Sequence, residues 1–208
     1  MKKDNYSTIV DYGSSEIRMG VFSNKLSKLF FQSKNISKKN NYEEYSESIN
    51  SLIREAENKI STHLENVTVM YDTSKIFSVY LSIKKKLDKK IIFKDVCASI
   101  ILEANQLIED TYTDKKIIHS IIKKYTINDK EYSNLPEEMT EFDSIILEII
   151  FICLPKNQYK DVCETLKKNN IKILNFFSSS LVKSFKYIEF FKKDKFVAFL
   201  DIGLDKTT

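Results

Sequence analysis

Two short clusters in this sequence carry residue types suited to phosphate chemistry. The first is Asp11-Tyr12-Gly13-Ser14-Ser15 and the second is Asp201-Ile202-Gly203. Each follows an apolar run, Thr8-Ile9-Val10 in one case and Phe196-Val197-Ala198-Phe199-Leu200 in the other. Glycine lets backbone approach a ligand closely, and neighbouring serines offer N–H and O–H donors to phosphate oxygens. An aspartate at a strand end can hold a magnesium ion, directly or through water. The sequence has only three glycines, Gly13, Gly20 and Gly203, so two of them fall in these turns. Asp-x-Gly is also an ordinary hairpin turn, and one copy alone leaves both readings open.

Elements of alternating type must position these clusters. The spacing of Ile17, Met19 and Val21 predicts a strand leaving the first turn, and Leu26 to Gln32 reads as a third strand of a meander. Tyr45, Ile49, Leu52, Ile53, Ala56 and Ile60 predict one face of a helix over Tyr42 to Leu64. Val67 to Tyr71 is a short buried strand. The middle changes rhythm: a strand from Ile76 to Ile83, a helix from Asp95 to Glu109, then long strands over Lys116–Ile127 and Ser144–Leu154. From Pro155 the alternation resumes, with a helix from Gln158 to Lys168 and a strand from Ile171 to Phe176. Ser178-Ser179-Ser180 reads as the cap of a helix carrying Leu181, Val182, Phe185 and Ile188. Phe196 to Ile202 is expected to be the last strand.

Composition narrows the function classes. Of 208 residues 42% are hydrophobic, enough for a core, and 33 basic residues stand against 29 acidic ones. Nearly all the basic residues are lysines, the arginines being Arg18 and Arg54, so the small positive balance does not read as a nucleic-acid footprint. Lys84–Lys86 and Lys89-Lys90 read as a solvated charge run. Cys97, Cys153 and Cys163 have no CxxC spacing and read as reduced thiols. His63 and His119 lack ligand spacing for zinc. The run from Ile145 to Leu154 contains Glu148 and is too short to span a bilayer. With no signal-peptide pattern at its start, the chain is expected to be cytoplasmic.

Taken in order, VDYGSSEIRMGVF (10–22), SLIREAENKIS (51–61), IIHSIIKKYTIND (117–129), IIFICLPKNQYKDVCETLKKNNIKI (149–173), FFSSSLVKSF (176–185) and FVAFLDIG (196–203) resemble the actin-like ATPase superfamily. Within it, their order resembles the bacterial cell-division protein family FtsA. The resemblance implies an α/β fold: an actin-like (RNase H-like) subdomain, residues 1–74 and 156–208, with a small strand-helix-strand-strand α+β domain inserted at 75–155. It implies ATP with magnesium as cofactor. Asp11, Gly13, Ser14, Ser15, Asp201 and Gly203 would face the phosphates, and Asp11 and Asp201 the metal. It assigns no catalytic residue. The implied role is a division scaffold acting by self-association and contacts with other division proteins at the septum, on the inner face of the cell membrane. The family's contact with tubulin-like FtsZ and its amphipathic membrane helix would lie in a continuation beyond Thr208.

Two departures from the family pattern bear on the cofactor. Glu16 stands where the family carries lysine, replacing attraction to phosphate by repulsion, about 1 kcal/mol in water and about 4 near a protein surface at 4 Å. Gly203 is followed by Leu204, Asp205 and Lys206 instead of further glycines, which narrows the approach. Two further readings stay open beside the division scaffold. One is an actin-like pilus-assembly scaffold; the other is a kinase of the same superfamily, which needs a complete phosphate cleft.

Overall fold

Three strands and a tight turn set the frame. In the computed structural model β1 (Tyr6–Tyr12) runs through the Gly13–Ser15 turn into β2 (Glu16–Ser23), which folds back against β3 (Lys28–Asn35). The structure describes residues 6–37, 42–86, 93–134, 142–188, 198–203 and 207. α1 (Tyr42–Ile60) leads to β4 (Asn66–Tyr71). The chain continues through β5 (Phe77–Lys86), α2 (Phe93–Thr111), β6 (Lys115–Ile127), β7 (Lys130–Tyr132) and β8 (Ser144–Pro155). It ends in α3 (Lys156–Lys168), β9 (Lys172–Ser178) and α4 (Ser179–Ile188).

The contacts divide the chain into two units, Met1–Ser74 with Gln158–Thr208, and Lys75–Asn157. The first holds a mixed five-stranded sheet of order β3-β2-β1-β4-β9. Its first three strands are antiparallel, whereas β1 pairs β4 and β4 pairs β9 in parallel. Tyr12 lies opposite Tyr71, and Tyr71 opposite Ser178, so three parallel strands end level with one another. Ile17, Met19 and Val21 all point into the core, as their alternation predicts. There they meet Ile49, Leu52, Ile53 and Ala56 of α1, and Val162 and Leu166 of α3. Burying each of these side chains larger than Ala56 is worth about 1.5–3 kcal/mol.

Some boundaries differ from the sequence reading, for local reasons. Leu26 adopts φ 60° in the turn after β2, so β3 begins two residues later than Leu26. Ser61, at φ 55°, ends α1 before Leu64. Leu64 is fully buried, and its N–H is taken up by the Glu57 carboxylate at 2.9 Å. Phe185 of α4 is 54% exposed where the helical pattern predicts a buried face. Residues 198–200 form no strand; an isolated bridge joins Ile202 to Thr207. Phe196, Val197 and Leu204–Lys206 lie outside the described residues.

The second unit is an antiparallel sheet of order β5-β8-β6-β7 with α2 on one face. Val96, Cys97, Ile100, Ala104 and Ile108 pack there on Ile145, Leu147, Ile149, Phe151 and Cys153. Cys97 and Cys153 are buried free thiols. The short β7 is an addition to the predicted pattern. It arises because Asn128 and Asp129 take φ 47° and 63°, the left-handed pair of a two-residue hairpin. The loop with Leu135–Glu138 lies outside the described residues. Lys84–Lys86 of the predicted charge run close β5, where Lys85 turns to Glu103 of α2 at 3.5 Å, while Lys89-Lys90 lie outside the described residues. Among the described residues, no helix is long and apolar enough to cross a membrane.

Candidate functional site

The first turn is built around a backbone contact that only glycine permits. The Gly13 N–H donates to the Glu16 carbonyl at 3.0 Å, and a Cβ on Gly13 would sit 2.8 Å from that oxygen. The turn is then held from outside. The Tyr45 hydroxyl reaches the carbonyls of Gly13 and Ser14 at 3.1 and 3.3 Å, and the Ile36 N–H reaches that of Ser15 at 2.8 Å. Ser15 is exposed, whereas Ser14 is half-buried.

Asp11, one residue before the end of β1, has both carboxylate oxygens taken. Oδ2 accepts from Arg18 Nη1 at 3.2 Å, and Oδ1 accepts from the Ser179 hydroxyl at 2.7 Å. Arg18 also binds Glu16 through its other terminal nitrogen. A hydrogen bond from Ser33, with the Arg18 interactions, holds the Glu16 carboxyl below its ordinary range. The charge that the sequence reading treats as repulsive to phosphate is therefore paired with a guanidinium.

A second carboxylate joins the site that the sequence reading missed. Asp72 directly follows β4, whose last residue Tyr71 lies opposite Tyr12, and its Oδ1 accepts the Thr73 N–H at 3.0 Å. Its Oδ2 faces the Ser180 hydroxyl, which also lies 2.9 Å from Oδ2 of Asp201. Lys183 Nζ reaches the same Asp201 oxygen at 3.3 Å. A hydroxyl has one proton, so Ser180 can donate to only one of these two carboxylates at a time. Gly203, two residues beyond Asp201, is exposed.

Asp11, Asp72 and Asp201 thus converge on the first turn of α4, beyond the carboxyl ends of parallel strands, where ligands of open α/β sheets bind. Ser179 and Ser180 are both buried, and their hydroxyls turn to carboxylates. The missed signal was a third strand-then-Asp pattern, Val67–Tyr71 followed by Asp72-Thr73-Ser74. Arg18, one of the chain's two arginines, was a further signal.

Magnesium and ATP phosphates fit these residues poorly. Each of the three carboxylates already faces protein donors, and the Gly13 N–H closes the hairpin.

No family model matches this sequence, and no curated protein matches it. Its fold, however, is similar to solved structures. A chain of the PilM–PilN type IV pilus biogenesis complex superposes on 83% of this chain and 47% of its own length, with 12% identity and a TM-score of 0.54. The present chain thus spans about half the length of that protein. The cytoplasmic domain of EpsL, an inner membrane component of the type II secretion system of Vibrio cholerae, is 11% identical, with coverages of 85% and 56% and a TM-score of 0.40. A Bacteroides thetaiotaomicron protein with actin-like ATPase fold and unknown function is 12% identical, with coverages of 90% and 58% and a TM-score of 0.38. The fold is that of the actin-like ATPases (RNase H-like), a mixed five-stranded sheet with an additional antiparallel four-stranded sheet.

Proposed function

We propose that this chain is the actin-like part of a scaffold for a membrane-associated assembly, of the pilus-biogenesis kind, working through protein contacts. The observation that carries this reading is the likeness to a chain of the PilM–PilN complex over 83% of the present chain. The strand-end carboxylates support it, because they are bound by the chain's own serines, lysine and arginine. On this reading the unit Lys75–Asn157 is the inserted contact domain, and the protein works at the inner face of the cell membrane. A division scaffold of FtsA type, self-associating and bound to FtsZ through a continuation of the chain, is the second reading. It is favoured by the motif order that runs from Val10 to Gly203.

Deleting the gene in its own cells separates the two. Loss of surface pili or of secretion at normal cell length is the expected result. Filamentous cells with intact pili and secretion would overturn the assembly reading in favour of division.

A further inference from the structure

The first unit contains a cavity of about 90 Å³ beside the strand ends. Its walls come from β1, α1, β4 and α3. Four are tyrosines: Tyr12, Tyr42, Tyr45 and Tyr71. Tyr12 stands between two of the others, with ring centroids 6.5 Å from Tyr45 and 5.8 Å from Tyr71. One probe-sized water needs roughly 10–15 Å³ of such space, so the cavity has room for a small head group.

The hydroxyls are not equivalent. Tyr45 spends its own on the Gly13–Ser14 carbonyls, and Tyr42 pairs with Thr165 Oγ1 at 3.0 Å. Tyr12 is only 3% exposed, yet its hydroxyl has no hydrogen-bond partner among the described residues. Gln158 Oε1, on the same wall, is likewise buried and unpartnered. A buried polar atom left unpaired costs about 1–3 kcal/mol, so two on one cavity mark a place where something else supplies the bonds.

The chemistry of the walls selects the occupant. Both orphaned oxygens can accept, and the Asp72 and Asp161 side chains also line the space. No lysine, arginine or histidine does so among the described residues. Burial, with the charge of Glu164, pushes the Asp161 carboxyl above its ordinary range, as expected of an acid with no cation beside it. Tyrosine faces carry negative potential and attract cations within about 6 Å. We infer that this tyrosine-walled cavity binds a small organic cation, a guanidinium or alkylammonium group whose N–H donors meet Tyr12 Oη, Gln158 Oε1 and Asp161. The group could be a free amine or the side chain of an arginine or lysine on a partner polypeptide. The inference does not depend on the scaffold reading.

Calorimetric titration of the full chain tests it with three kinds of probe: agmatine, capped arginine and lysine amides, and neutral capped citrulline amide. Saturable binding of at least one cation is expected, with none of the neutral analogue and at least a tenfold loss in Asp161→Asn. Tyr12→Phe, which keeps the ring and removes the orphaned hydroxyl, should weaken the same binding several-fold while leaving the fold intact. Tighter binding of agmatine would identify a free amine as the source, and tighter binding of a capped residue a partner side chain. Failure of every cation to bind, equal binding of the neutral analogue, or unchanged affinity in Asp161→Asn would overturn the inference.

Discussion

Ser179 donates its hydroxyl to Asp11 at 2.7 Å, joining residues 168 positions apart in sequence. The bond ties the end of β1 to the first turn of α4. Arg18 holds the other carboxylate oxygen, so the aspartate is gripped from the hairpin and from the helix together.

Removing that grip should be measurable. Ser179→Ala leaves a mostly buried carboxylate one donor short, and hydrogen bonds to charged groups are worth about 1.5–3 kcal/mol. With Arg18 still in place, the lower end, about 1.5 kcal/mol, is expected from the urea midpoint of the first unit. An unchanged midpoint would mean that the bond contributes nothing net.

Gly13→Ala tests the turn itself. Its new Cβ would press on the Glu16 carbonyl at 2.8 Å, which is backbone and cannot rotate away. A loss of about 1–3 kcal/mol is expected, the usual penalty of forced overpacking. Retained stability would show that the hairpin opens without cost.

How much of this was readable in the sequence depends on whether the cause is local. Ile17, Met19 and Val21, and the α1 face from Ile49 to Ala56, were readable because burial imposes the strand and helix periods directly. The Asp11 turn was readable because glycine is so scarce here. Asp72 was not, since its meaning comes from β4 ending level with β1, a fact of parallel register. Arg18 and Glu16 illustrate the same limit. Two residues apart on one strand they face the same side, yet Glu16 read alone suggested repulsion, whereas paired it is neutralised. Ala198, Phe199 and Leu200 form no strand for another reason. An apolar residue type says what is hydrophobic, not whether a partner strand is beside it.

The Glu16 pair also sets an acid dependence. Its folded carboxyl is held low by Ser33 and then Arg18, so the folded state favours the charged form. That stability is fully present at neutral pH. It falls as pH drops below the ordinary glutamate value of 4.5 and is gone once the lowered folded value is passed. Urea midpoints followed from pH 7 downward should therefore fall less steeply in Glu16→Gln than in the parent chain. Parallel acid limbs would refute the coupling.

Phe151, fully buried in the second unit, probes whether the two units unfold separately. Phe151→Ala should cost about 3–5 kcal/mol there. Hydrogen exchange should then show lost protection in β5, β6 and β8, with β1, β4 and β9 unchanged. Equal loss in both sheets would mean a single cooperative unit.

Whether the strand-end cluster serves contact or nucleotide is tested most directly by unfolding the full chain thermally with and without magnesium ATP. Because Asp11, Asp72 and Asp201 are satisfied by Arg18, Thr73, Ser179, Ser180 and Lys183, millimolar nucleotide should stabilise the chain by less than about 1 kcal/mol. A larger, saturable stabilisation that disappears in Asp11→Asn would contradict this and make the cluster a nucleotide site.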